Sequence, residues 1–211
     1  MTKIKICGLT READIEMANR YRPDYIGFVF AKSKRMVTDE TAYLLKKKLH
    51  PNVKSVGVFV DEDPDIICNL AEKKVIDLIQ LHGNEDACYM ERLKQRISCK
   101  IIKAVRVQST ESILQASKLS ADYLLLDTYS KGVQGGSGKT FDWSLIPVME
   151  KPYFLAGGLD ADNIEKAQRV CHPYCMDVSS GVETNGKKDE EKVMSLIHKV
   201  RREQKDESYT Q

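Results

Sequence analysis

Eight short apolar runs, rich in Ile, Val, Leu and aromatic residues, recur along this chain. They are KIKIC (Lys3 to Cys7), YIGFVF (Tyr25 to Phe30), SVGVFV (Ser55 to Val60) and IDLIQLH (Ile76 to His82). The second half adds KIIKAVRV (Lys100 to Val107), DYLLLDT (Asp122 to Thr128), YFLA (Tyr153 to Ala156) and YCMDV (Tyr174 to Val178). They start roughly every 20 to 30 residues, the length of one strand–helix unit. Helix-like segments lie between them. Thr10 to Tyr21 has Thr10 placed as an N-cap, and Thr38 to Leu49 opens on Thr38. Pro64 to Lys73 carries its proline at the first helical turn, where a missing N–H costs nothing. Glu85 to Arg96, Ser109 to Leu119, Asp160 to Val170 and Asp189 to Arg202 show the same pattern. The sixth connection differs: a long polar loop, Tyr129 to Lys139, then a short Pro-interrupted helix near Phe141 to Met149.

Strands alternating with helices require a parallel sheet, and eight within 211 residues suit a closed (β/α)8 TIM barrel better than an open sheet. One barrel domain over 1–203, with a polar tail over 204–211, accounts for the whole chain. Hydrophobic residues make up 42% and charged residues 30%, the balance of a soluble globular protein. The net charge of +2 is too small to argue for nucleic acid or a membrane as partner. The opening MTKIKICGLT has no signal-peptide core. The six cysteines are scattered, so free thiols in a cytoplasm are expected. Cys171, His172 and Cys175 lie close in sequence, but no second Cys/His pair completes a metal site.

In such a barrel, chemistry collects where strands end. Two ends near the C-terminus break into small residues: Gly157 and Gly158 after one, Ser179, Ser180 and Gly181 after the next. Each alone reads as an ordinary tight turn. Side by side on consecutive units, they expose enough backbone amides to cup a phosphate dianion. The string GGSGKT (Gly135 to Thr140) invites a nucleotide P-loop reading. However, Val133 stands where that pattern needs its first glycine, and Pro147 interrupts the helix that the pattern needs next. A glycine-rich lid over the ligand is the better reading.

Other strand ends carry reactive groups. Cys7 can be read as a small buried apolar residue, yet alternation puts it on the same face as Lys3 and Lys5. Two lysines do not suit the apolar layer under the helices, so that face belongs to the barrel interior. Asp127 ends the run YLLL. It either caps its loop or supplies a catalytic carboxyl group. Arg35 is either a solvated charge in a basic run or a fork for a substrate carboxylate. His82 is left open between a structural and a functional role. Lys5, if buried, needs a carboxylate partner, and Asp177 on the strand that closes the barrel is the candidate.

The ordered set KICGLT, SKR, VGVFV, QLHG, LLDT, GGSGKTFDW, LAGGL, DVSSGVE and GKKD, from Lys3 to about Val200, resembles the N-(5'-phosphoribosyl)anthranilate isomerase family of tryptophan biosynthesis. The resemblance implies an Amadori rearrangement of a small phosphosugar substrate, with no metal or organic cofactor. It implies Cys7 as general base, Asp127 as general acid and Arg35 as the anthranilate contact. It further implies a phosphate site at Gly157, Gly158, Ser180 and Gly181, with the loop around Gly136 to Gly138 closing over it.

Overall fold

The computed structural model describes residues 1–128 and 140–208. Eight parallel strands close on themselves in sequence order. They are β1 (Lys3–Cys7), β2 (Tyr25–Val29), β3 (Lys54–Phe59), β4 (Leu78–Leu81), β5 (Lys100–Val107), β6 (Tyr123–Thr128), β7 (Tyr153–Leu155) and β8 (Cys175–Val178). Helices α1 (Glu12–Tyr21), α2 (Asp39–Lys48), α3 (Pro64–Glu72), α4 (Ala87–Arg96) and α5 (Thr110–Ser117) come after β1 to β5, and α6 (Ile164–Cys171) comes after β7. After β8 a single 3-10 turn (Ser180–Val182) leads into a short hairpin, β9 (Glu183–Thr184) and β10 (Lys187–Lys188), and then α7 (Glu190–Ser208). α7 thus continues beyond the Arg202 end expected from the sequence.

Closure is visible in β1, which pairs with both β2 and β8. The strands are apolar on both faces because both are covered. Ile4, Ile6, Ile26, Phe28, Ile79, Leu124 and Met176 point outward into the layer beneath the helices. Tyr25, Val56, Leu78, Ile102, Leu125, Phe154 and Cys175 fill the interior. Alternation therefore separates Cys175, inside, from Cys171, which packs against the outer layer. The N-terminal end of the barrel is plugged by tyrosines: Tyr25 and Tyr174 share a hydroxyl contact of 3.1 Å, and Tyr123 stacks on Tyr174 at 5.0 Å.

One device recurs at that end. Asp24, Asp77 and Asp122 each sit just before an even-numbered strand. Each accepts the backbone N–H of a neighbouring odd strand, from Ile4 at 3.0 Å, Ser55 at 2.7 Å and Ile101 at 2.9 Å. These carboxylates pin neighbouring strands in register and leave the opposite rim free for chemistry.

Two local expectations change. Thr10 does not cap α1; the Asp14 carboxylate reaches back to the N–H groups of Thr10 and Arg11 at 2.9 and 3.0 Å. Acceptors for the helix start thus come from inside its first turn. No helix fills Phe141 to Met149, only a 3-10 turn at Trp143–Leu145. Pro147 drives the residue before it out of the helical region, and Ile146 is extended, with φ −77° and ψ 112°. Thr38, Pro64 and Ser109 start their helices as read, with Thr38 and Ser109 accepting backbone N–H groups at 3.2 and 3.3 Å.

Candidate active site

The cavity at the C-terminal mouth is lined by Cys7, Arg35, His82, Asp127, Gly157, Gly158 and Ser180, together with Gln80, Asp177 and Ser179. The residues singled out from strands 1, 2, 4, 6, 7 and 8 thus share one cavity. Gly181 stands behind it, so close to the preceding turn that an added Cβ would meet the Leu159 carbonyl oxygen at 2.0 Å. Gly136 and Gly138, with the lid expectation, lie outside the described residues.

Cys7 ends β1 with its sulfur resting on β2: an added Cβ at Gly27 would sit 2.6 Å from Sγ. Burial pushes the Cys7 thiol above its ordinary pKa. The cations of Lys5 and Lys188 pull it down, and the Asp177 charge pushes it up. Beneath it, Lys5 Nζ donates to Asp177 Oδ2 at 2.7 Å. Strand register sets Lys5 directly opposite Asp177 across the β1–β8 seam, as expected.

Asp127 comes from β6, separated from β1 by two strands one way round the barrel and by four the other. Its Oδ1 accepts the Thr128 N–H at 2.8 Å, and its Oδ2 lies 3.3 Å from His82 Nε2. The Gln80 amide nitrogen is 2.9 Å from His82 Nδ1. With that amide donating, the neutral imidazole carries its proton on Nε2, facing Asp127. His82, left open by the sequence, therefore borders Asp127. The turn after it is clamped. Glu85 accepts N–H groups from Gly83 and Asp61 and the ammonium of Lys103 at 2.7 Å, and the Glu85 and Lys103 side chains are buried.

Two buried acceptors on residues of the cavity wall, Gln80 Oε1 and Asp177 Oδ1, have no hydrogen-bond partner among the described residues. Native structures satisfy nearly all buried acceptors, so these two mark the floor of the cavity as polar and underused by the chain itself. The Gly157–Gly158 turn requires glycine, with φ of +83° and +64°. At Gly157 a Cβ would meet Thr128 Oγ1 at 2.2 Å and Asp127 Oδ1 at 2.9 Å. That turn thus packs directly on the carboxyl group.

Sequence reasoning missed the partners of Arg35. Its Nε and Nη2 donate to the two carboxylate oxygens of Glu183 at 2.7 and 2.8 Å. Lys188 Nζ donates to Glu183 Oε1 at 2.6 Å and to the Ser179 carbonyl at 2.9 Å. The available signal was Asn185-Gly186, a two-residue hairpin turn that returns a lysine beside a glutamate.

Fold and site together define a small (β/α)8-barrel enzyme with a thiol and a carboxyl group, from different strands, facing one cavity. Residues 4–199 match the family model described as N-(5'phosphoribosyl)anthranilate (PRA) isomerase. The chain belongs to the N-(5'-phosphoribosyl)anthranilate isomerase family. It is 50% identical over 201 residues to that isomerase from Endomicrobium trichonymphae, covering 95% of this chain and 99% of the relative. The crystal structure of the Thermotoga maritima phosphoribosyl anthranilate isomerase superposes with a TM-score of 0.85 at 37% identity, covering 95% and 99% of the two chains. A phosphoribosyl anthranilate isomerase in complex with reduced 1-(o-carboxyphenylamino)-1-deoxyribulose 5-phosphate superposes at 0.81 with 34% identity and the same coverage. Among the described residues no helix is long and apolar enough to cross a membrane.

Proposed function

We propose that this cavity converts N-(5'-phosphoribosyl)anthranilate to 1-(2-carboxyphenylamino)-1-deoxyribulose 5-phosphate, a step of tryptophan biosynthesis. The observation that carries the reading is Cys7 and Asp127 reaching one cavity from β1 and β6, beside two small-residue turns. The relative with a reduced form of this product bound supports it.

The acid form of Asp127 gives its proton to the ribose ring oxygen as the bond from that oxygen to C1' breaks. The anthranilate nitrogen lone pair forms the C1'=N iminium. That cation acidifies the C2' hydrogen, and the Cys7 thiolate removes it as a proton, leaving an enolamine. Tautomerisation gives the 2'-ketone, so the net change is an isomerisation. Donor and acceptor work on different atoms and come from different strands, as two separate proton transfers require. Lys5 and Lys188 favour the thiolate, and His82 orients Asp127.

The phosphate is held by backbone N–H groups of Gly158, Ser180 and Gly181, for which no arginine is needed. Gln80 and Asp177 line the cavity beside the ribose. Arg35 takes the anthranilate carboxylate. Residues 1–203 form the catalytic unit, and the family match ending at 199 supports this. The free cysteines suit a reducing compartment, and we assign the reaction to the cytoplasm. Freshly made phosphoribosylanthranilate should lose its fluorescence on adding the protein. No loss beyond its spontaneous decay would sink the reading.

A further inference from the structure

We infer that Glu183, braced by Lys188, is a positioning residue that aims the Arg35 guanidinium at the substrate carboxylate. This rests on the function proposed above and deepens it, because Glu183 would then set selectivity for an acidic aniline.

Arg35 has two hydrogen-bonding edges. The edge made by Nε and Nη2 is taken up by both oxygens of Glu183, at 2.7 and 2.8 Å. This bidentate pairing fixes the plane of the guanidinium. It leaves Nη1 and the second N–H of Nη2 as a fork. Arg35 lines the cavity and Glu183 does not, so the carboxylate stands behind the guanidinium rather than between it and a ligand. The stem of Arg35 lies across the end of β1, where a Cβ at Gly8 would meet Cδ at 2.4 Å. A long flexible side chain is thereby pinned from below and from behind.

Glu183 is itself held. Asn185 and Gly186 both have positive φ, 53° and 74°, and reverse the chain in two residues. β10 then pairs antiparallel with β9 so that Lys188 lies opposite Glu183. The Lys188 side chain is 1% exposed and donates to Glu183 Oε1 at 2.6 Å and to Ser179 O at 2.9 Å. Arg11 Nη2 ties down the Lys188 carbonyl at 3.2 Å. Two cations face one carboxylate, so the cluster keeps a net positive charge for an incoming anion. Burial works against the Glu183 carboxylate, yet the bonds and charges of Arg35 and Lys188 hold its pKa down to about 2.

The opposite role is a Glu183 that occupies Arg35 until substrate displaces it. Removing the charge would then lower KM, whereas loss of an aiming brace raises it.

The test is steady-state turnover of phosphoribosylanthranilate by Glu183→Gln, Arg35→Met and the double variant, with inorganic phosphate as competitive inhibitor. For Glu183→Gln we expect KM to rise roughly tenfold, as for loss of one charge-assisted hydrogen bond, with a much smaller change in kcat. Placed in the Arg35→Met background, it should shift KM by less than about twofold, since a residue acting through Arg35 has nothing left to aim. Inhibition by phosphate should hold. An unchanged or lowered KM in Glu183→Gln, multiplicative effects in the double variant, or phosphate affinity falling in parallel would each overturn the inference. Should Glu183→Gln not fold, Glu183→Asp keeps the charge but draws the carboxylate back. It should also raise KM, and a wild-type KM there overturns the role equally. Failure of the wild-type protein to consume the substrate sinks the underlying reading, whereas wild-type turnover with an indifferent Glu183 sinks only this role.

Discussion

Lys5 Nζ lies 2.7 Å from Asp177 Oδ2, and the lysine side chain is entirely shut off from solvent. The two residues are 172 positions apart and meet because β1 and β8 complete the barrel. Burial alone would drive the ammonium to lose its proton. Burial is the largest single influence, but the charges and hydrogen bonds of Asp177 and Cys7 together outweigh it, and the lysine is held charged, above its ordinary pKa. Removing one partner strands the other. Lys5→Met should therefore lower stability by about 3–5 kcal/mol. Lys5→Met with Asp177→Asn should recover much of this loss in chemical denaturation. A wild-type midpoint for Lys5→Met would show that the pair contributes nothing.

Cys7→Ala and Asp127→Asn should each reduce kcat by at least about 10²–10⁴-fold, the usual worth of a proton transfer, with KM changing much less. Cys7→Ser should be nearly as poor as alanine, because a hydroxyl ionises far less readily than a thiol. Near-normal turnover by Cys7→Ala would remove the thiol from the mechanism.

The pKa of Cys7 stays raised because burial and the Asp177 charge together outweigh the pull of Lys5 and Lys188. A base must be deprotonated to act, so its working fraction grows as pH rises towards that pKa. The kcat/KM profile should climb with pH above neutrality. Lys188→Met, which removes one cation, should shift the climb to higher pH. A profile flat from about pH 6 to 9 would contradict a thiol of ordinary or raised pKa as the base.

Gly181→Ala places a Cβ 2.0 Å from the Leu159 carbonyl oxygen, a backbone atom that cannot swing aside. The two small-residue turns must then separate, and inhibition by inorganic phosphate should weaken by about tenfold or more. Gly157→Ala adds strain at φ +83° and pushes on Asp127 Oδ1 at 2.9 Å, so kcat should fall as well. Unaltered phosphate inhibition in Gly181→Ala would move the phosphate elsewhere on the rim.

Glu183, with its carboxyl held down to about 2, also links stability to acid. Its stabilisation is present above the ordinary carboxylate range, near ~4.3, and is lost as pH falls from there through about 2. The melting temperature of the wild-type protein should drop across that interval by more than that of Glu183→Gln. Parallel curves would contradict the linkage.

The strand–helix alternation was legible because it is local. Val, Ile and Leu runs, Pro64 at a first helical turn, and Thr38 and Ser109 as caps act within a few residues of themselves. So were Cys7, Asp127 and the two small-residue turns, since the end of a strand can be read without knowing its neighbours. Even Lys5 and Asp177 could be matched, because a closed barrel makes its first and last strands adjacent. What depended on tertiary structure was every contact between loops of different units. Glu183 beside Arg35, and His82 beside Asp127, meet across 148 and 45 positions (183 − 35 and 127 − 82). No periodicity encodes such distances. They arise when barrel closure brings the strand ends into one ring, and only then do buried charges and unpaired oxygens select their partners.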